Sequence, residues 1–207
     1  MGDFIKKVLA FSENLPRFLE NKPHFLRPPL PYPLPTIQFS HFFTMSYNKK
    51  AVLAANTAAI GLLLRLEKEQ RSATEEEQKV LRAYQGFGGL KCILNRTDQP
   101  EDIRYWSKSE QDLFAPTCAL KQLIYREAPG ADMAKRYWES IKASVLTSFY
   151  TDTCIVNAIA DSLEKTGVTF RTCLDPSLGM GAFAEALAPH VGRVDAFEKD
   201  LLTARIA

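Results

Sequence analysis

The sequence predicts an α/β protein: a mainly helical N-terminal region followed by the first strands of an incomplete parallel-sheet domain. Three observations carry this. Apolar residues recur at three- and four-residue steps between residues 49 and 146, which is the period of amphipathic helices. Two short runs rich in β-branched and apolar residues, 168–174 and 191–197, come near the C-terminal end and read as strands. A glycine-containing turn and an apolar helix pattern lie between them, so strand, loop, helix and strand follow one another as in a Rossmann-like unit.

Residues 1–44 form a leader of different character. They hold seven of the 12 prolines, six of them between Pro23 and Pro35. Proline fixes φ and removes a backbone donor, so polyproline II or irregular coil is expected here. The leader is read as a poorly ordered extension, with Met45 as a second start; the alternative is a ligand for an aromatic-groove domain. Asp3, Lys6, Lys7 and Glu13 break any apolar run, which excludes a signal peptide. Five basic and three acidic residues in this leader account for the whole net charge of +2. Residues 45–207 hold 21 basic and 21 acidic residues, so charge gives no support to a nucleic-acid partner.

Composition bounds the rest. With 46% apolar residues the chain can form a core, which excludes an intrinsically disordered protein. No run approaches the roughly 18 uncharged apolar residues of a membrane span. Cys92, Cys118, Cys154 and Cys173 form no Cys-x-x-Cys pair, and the histidines are His24, His41 and His190. A zinc site is therefore not indicated, and free thiols suit a reducing, cytoplasmic setting.

The helices follow in order. Val52, Ala55, Ala59, Leu62, Leu63 and Leu66 mark an amphipathic helix over 49–70. Thr74 and Glu77 form a capping-box pattern that opens a second helix to about Tyr84. Ser107 and Glu110 repeat that pattern before Leu113, Leu120, Leu123 and Ile124, with Pro116 expected to kink or delay the helix. Met133, Tyr137, Ile141 and Val145 share a face of a helix over 132–146. After the second helix comes Tyr84-Gln85-Gly86-Phe87-Gly88-Gly89-Leu90. Its glycines imply positive φ or close backbone approach. It is read either as a helix stop and tight turn or as a loop that touches nucleic acid or cofactor.

The chemically informative part starts at Ser148. Phe149-Tyr150-Thr151-Asp152 precedes a helix with Ile155, Ile159 and Leu163 on one face. The strand 168–174 then leads into Asp175-Pro176-Ser177-Leu178-Gly179-Met180-Gly181-Ala182-Phe183, and Phe183, Ala186 and Leu187 continue as a helix. Gly179 and Gly181 let the backbone approach a ligand and turn into that helix. The strand 191–197 ends at Glu198, where an acid can accept hydrogen bonds from two ribose hydroxyls. Asp200 is placed to cap a further helix through Leu201, Leu202 and Ile206. Gly179-x-Gly181-x-x-Ala184 with Glu198 also fits an NAD site. Against NAD stand Asp175, whose carboxylate would crowd a pyrophosphate but suits an ammonium or sulfonium, and the upstream 149–152 segment, which a dinucleotide domain does not need.

Asp175-Pro176-Ser177-x-Gly179-x-Gly181-x-Phe183 resembles the S-adenosylmethionine motif of DNA adenine-N6 methyltransferases. Ser148-Phe149-Tyr150-Thr151 followed by Ile155-Val156 resembles the segment that precedes it and packs over the cofactor. Tyr84-x-Gly86-Phe87-Gly88-Gly89-Leu90 resembles, more narrowly, the methylase–helicase proteins of bacterial mobile elements such as conjugative transposons. The resemblance covers about residues 46–207. It implies a Rossmann-like methyltransferase domain, S-adenosyl-L-methionine as cofactor and DNA methylation as activity. It also implies DNA and the remainder of a methyltransferase or helicase polypeptide as partners. Phe149, Tyr150 and Thr151 would border the cofactor, Asp175 and Pro176 would face its methionine end with Ser177, and Gly179 and Gly181 would line its backbone. Phe183 would support the loop and Glu198 would hold the ribose.

The family also uses an Asn/Asp/Ser-Pro-Pro-aromatic motif to bind the exocyclic amine of a flipped base. Pro28-Pro29 is the sole Pro-Pro pair; Arg27 precedes it and Leu30 follows it, so the motif is missing and no catalytic residue is assigned. The expectation is an N-terminal fragment: leader 1–44, helical region 45–147, and the start of a truncated methyltransferase domain over 148–207, inactive alone. The alternative is a non-enzymatic helical DNA- or protein-interaction module with a vestigial cofactor loop. An NAD-dependent oxidoreductase fragment is a third, weaker reading.

Overall fold

The computed structural model describes residues 47–207, all within one compact unit that spans Ser46–Ala207. The leader, its proline run and the start at Met45 lie outside the described residues.

The first helix, α1 (Lys49–Glu69), is capped by Asn48, whose side chain accepts from the Ala51 amide at 3.0 Å. Its apolar stripe buries Leu53, Ile60, Leu63 and Leu64. The second, α2 (Glu75–Arg82), carries the expected capping box, with both the Thr74 and Glu77 side chains bonded to backbone amides. Arg71 grips the Glu77 carboxylate through two bonds of 2.7 Å and holds its pKa down to about 2, helped by the Thr74 amide. That stabilising contribution is complete above the ordinary glutamate range and is lost as the pH falls through about 2. Thr74→Ala removes one half of the box, and thermal or urea unfolding should register a loss of about 1 kcal/mol.

Residues 90–113 run as three short 3-10 turns, Lys91–Leu94, Pro100–Tyr105 and Gln111–Leu113. Buried Asp102 ties this stretch together by accepting from the Asp98 and Gln99 amides at 2.9 and 3.1 Å. Helix α3 (Phe114–Glu127) then starts without a side-chain cap. Ser107 and Glu110 are joined backbone to backbone at 2.9 Å and form no capping box. Pro116 falls in the first turn of α3, where its missing N–H costs nothing, and the helix begins at Phe114 rather than after Ser107, in line with the expected delay. Helix α4 (Ala131–Ser144) presents Tyr137 and Ile141 to the core, and Val145 continues that face just past its end.

A continuous core joins α1, the glycine loop, α3 and α4. Its fully buried members include Leu53, Phe87, Leu90, Leu120, Tyr137 and Ile141. Trp106 stands edge-on to Phe114 with centroids 5.3 Å apart, and its Nε1 donates to the Arg96 carbonyl at 2.9 Å.

The C-terminal part is thinner. Helix α5 (Thr153–Thr166) is capped by Asp152 and closed by Gly167. Strand β1 (Cys173–Asp175) pairs in parallel with β2 (Val194–Ala196), with Cys173 opposite Val194 and Asp175 opposite Ala196. A single bridge, Phe170 to Val191, extends the ladder. Helix α6 (Ala182–Leu187) connects the strands, and α7 (Thr203–Ile206) follows β2. Both strands are shorter than the runs 168–174 and 191–197 suggest. The predicted apolar face of α5 is not buried: Ile155 and Ile159 are exposed, and only Val156 of this helix is enclosed. Val168, Phe170 and Leu174 are exposed beside it in the sequence-predicted strand. Leu202 and Ile206, by contrast, enter the core built by the N-terminal helices.

Among the described residues no helix is long and apolar enough to cross a membrane.

Candidate functional site

The turn after β1 is shaped by Asp175. Its Oδ1 accepts from the Ser177 amide at 3.0 Å, the side-chain-to-backbone bond of an Asx turn. Its Oδ2 is buried and has no hydrogen-bond partner. Leaving a buried carboxylate oxygen unpaired is costly, and a donor or cation brought by a ligand would offset that cost. Gly179 and Gly181 carry φ of +56° and +82°, as a turn bending sharply into α6 requires.

Glu198, just past β2, closes this turn. Its Oε2 accepts from the Gly179 amide at 2.9 Å and its Oε1 from the Asp200 amide at 2.7 Å. The acid therefore ties the loops after the two parallel strands to each other. Each carboxylate oxygen has a second lone pair, so Glu198 keeps acceptor capacity for a ligand hydroxyl. Asp200 is buried and accepts from the Thr203 amide at 2.7 Å and from the Ser140 hydroxyl at 2.8 Å; it thus holds the first residue of α7, although the N-cap position is Leu202 rather than Asp200 as expected.

The segment before α5 lies against the glycine turn. A Cβ built on Gly179 would stand 3.0 Å from the Tyr150 ring, so only glycine lets the two approach. The Tyr150 hydroxyl lies 3.3 Å from Thr203 Oγ1, and the Tyr84 hydroxyl meets the same oxygen at 3.2 Å. Burial pushes the Tyr150 phenol up to about 12; Thr203 opposes this in part, and Asp200 and Glu198 add to it. Burial likewise pushes Tyr84 up, with Asp200 adding. Both phenols are neutral at physiological pH. Neither aromatic of the 149–150 pair is a core residue, since Phe149 is 67% and Tyr150 36% exposed.

These pieces enclose a cavity of about 530 Å³. Phe149, Tyr150, Thr151, Asp175, Pro176 and Ser177 line it, together with Gly179, Phe183 and Glu198. Of the ten residues singled out from sequence, only Gly181 is not in the wall. Sequence reasoning missed Leu178, Met180 and Lys199 in the lining and Thr203 behind it. Thr203 had one available signal, its place three residues after Asp200, the acid expected to cap the helix. Helix α6 has only six residues, so the cavity is built from side chains and a tight turn rather than from a helix terminus. A volume of this size is ordinary for small-molecule sites.

A smaller cavity of about 350 Å³ shares Thr147, Ser148, Glu198 and Lys199 with it. A wider depression of about 800 Å³ between α1, α2 and α3 mixes Arg65, Lys68 and Arg126 with Glu69, Glu76 and Glu77. Its charges are of both signs, and Glu77 is already engaged by Arg65 and Arg71. Among the described residues no group of His, Cys, Asp and Glu gathers as a metal site would.

No protein-family model matches the chain. No curated protein and no solved structure matches it either.

Proposed function

We propose that residues 46–207 are the cofactor-binding part of an S-adenosyl-L-methionine-dependent DNA adenine-N6 methyltransferase, built on a Rossmann-like strand–loop–helix–strand unit. One observation carries the reading: the segments 149–151, 175–183 and Glu198, which the resemblance groups by function, border a single cavity. The residues in that wall suit the ligand's chemistry. Asp175 offers a carboxylate to an ammonium or sulfonium, Glu198 offers acceptors to ribose hydroxyls, and Tyr150 offers a ring and a neutral hydroxyl. When bound, S-adenosylmethionine supplies a methyl group on a positively charged sulfur. The chain's own task is to hold and orient that ligand.

The Asn/Asp/Ser-Pro-Pro-aromatic motif is absent from these 207 residues, so they are expected to bind cofactor without transferring its methyl group. DNA enters this proposal through the resemblance to the mobile-element methylase–helicase proteins, not through charge. The exposed Ile155, Ile159, Val168, Phe170 and Leu174 support a second element of it, that further polypeptide of the same enzyme covers apolar surface left open on α5 and along residues 168–174.

Calorimetry with S-adenosylmethionine, S-adenosylhomocysteine and NAD tests the proposal. Saturable 1:1 binding of the first two, with NAD silent, is expected. Silence with all three favours a helical interaction module with a vestigial loop. In the same assay Glu198→Ala should weaken S-adenosylhomocysteine binding on the order of tenfold, the scale of one or two lost hydrogen bonds.

A further inference from the structure

The glycine loop 84–90 belongs to the N-terminal helical region, yet it touches the cavity wall. Its conformation is fixed from α1 by Asn56, which is fully buried. The Asn56 Oδ1 accepts from the Gln85 amide at 2.8 Å, and its Nδ2 donates to the Gly86 carbonyl at 2.5 Å. Phe87 and Leu90 anchor the loop in the core at 0% exposure. The Gly89 amide donates to the Val145 carbonyl at 2.9 Å, and the Tyr47 hydroxyl to the Gly88 carbonyl at 2.9 Å. The loop backbone is thus held from α1, from the residue that follows α4 and from Tyr47.

What the loop holds is the 148–150 segment. A Cβ on Gly86 would stand 2.8 Å from the Tyr150 hydroxyl, and one on Gly88 would overlap the Ser148 carbonyl oxygen. Gly179 flanks the same ring from the cofactor-type turn. Tyr150 is therefore packed against two glycines, one from each half of the chain. The Tyr84 hydroxyl, at the start of the loop, shares Thr203 with the Tyr150 hydroxyl.

We propose that Asn56 and the Gly86–Gly89 loop are positioning residues for the ligand cavity, holding Tyr150 in its wall so that ligand affinity depends on the helical region. This rests on the cofactor-binding reading above for the identity of the ligand, but the placement of Tyr150 does not. Coupling of this kind is reciprocal: disturbing the loop loosens the wall, and removing the Tyr150 ring loosens the loop.

The test uses the full chain and two readouts. Amide hydrogen exchange is followed without ligand in Gly88→Ala, Asn56→Ala, Tyr150→Ala and Tyr150→Phe. S-adenosylhomocysteine affinity is measured by calorimetry on the same proteins. Gly88→Ala and Asn56→Ala should speed exchange at 148–151 and 177–181 while the amides of α3 and α4 stay protected, and should weaken binding about tenfold. Tyr150→Ala should speed exchange at 86–89 and weaken binding similarly, whereas Tyr150→Phe, which keeps the ring, should rescue both to within about threefold. Unchanged exchange at 148–151 in the loop variants, or at 86–89 in Tyr150→Ala, overturns the proposal. If one loop variant unfolds globally, Tyr150→Ala against Tyr150→Phe decides alone, because Tyr150 is partly exposed. The expected exchange changes without any ligand binding by the unmodified chain would sink the cofactor reading and leave the positioning role standing.

Discussion

Asp175→Asn is expected to weaken S-adenosylmethionine binding by roughly 10- to 100-fold while leaving the fold intact. Asparagine keeps an acceptor for the Ser177 amide, so the Asx turn at 175–177 survives. What it removes is the negative charge, including the share on Oδ2, which is buried and unpartnered. A hydrogen bond to a charged group contributes about 1.5–3 kcal/mol, and each 1.4 kcal/mol is about a tenfold change in affinity. The unmodified protein should therefore bind at least ten times more tightly in calorimetry. Its melting temperature should stay close to that of Asp175→Asn, because the Asx turn is kept and only the unpartnered Oδ2 is replaced. Equal affinity of the two proteins would remove Asp175 from the ligand's surroundings. A large fall in the variant's melting temperature would recast Asp175 as a structural turn residue.

The largest expected effect on stability is at Phe87. This ring is fully buried in the core, and it meets the Tyr84 ring edge-on with centroids 6.2 Å apart. Phe87→Ala should cost about 3–5 kcal/mol through lost burial and the cavity left behind. For a domain of this size that is a large share of total stability. Urea unfolding should show the midpoint falling with little change in slope. The same variant should also loosen residues 148–151, since Phe87 anchors the loop on which they rest. A change under 1 kcal/mol would mean that the loop is not held by the core as described.

The parts legible in the sequence were those with local causes. The 3.6-residue spacing of α1 and the Thr74–Glu77 capping box needed only neighbours in the chain, and both are present. The apparent capping box at Ser107–Glu110 failed because no α-helix starts there; the chain passes through 3-10 turns instead. Pro116 was harmless for a related reason, since the first turn of a helix has no amide bond for it to break. For the site, Asp175, Gly179 and Glu198 were readable because a turn between parallel strands restricts residue types sharply. The roles of Thr203 and Asn56 come from contacts across 53 and 30 residues; Asn56 has no local pattern to mark it, and Thr203 only its place three residues after Asp200. The same holds for Leu202 and Ile206, which enter a core assembled from the other end of the chain.

The glycine loop bears out the tight-turn reading of its motif and adds a packing role that the sequence did not show. Gly86 and Gly89 have φ of +71° and +76°, so the loop is a tight turn after a helix. It is also in contact with the cavity wall through Tyr150 and Ser148. The sequence could not show the second property, because the 148–150 segment that meets it lies about 60 residues further on and the packing distance depends on the folded core.

The central claim is that residues 149–151, 175–183 and Glu198 form one S-adenosylmethionine pocket. Amide chemical-shift mapping by NMR, with the cofactor titrated into the isotope-labelled 207-residue chain, tests it most directly. Saturable shifts are expected at 148–151, 175–183 and 198–200, with smaller ones at 86–89 and little change along α2 and α3. Shifts that are absent at saturating cofactor, or that cluster in the charged depression between α1, α2 and α3, would contradict it.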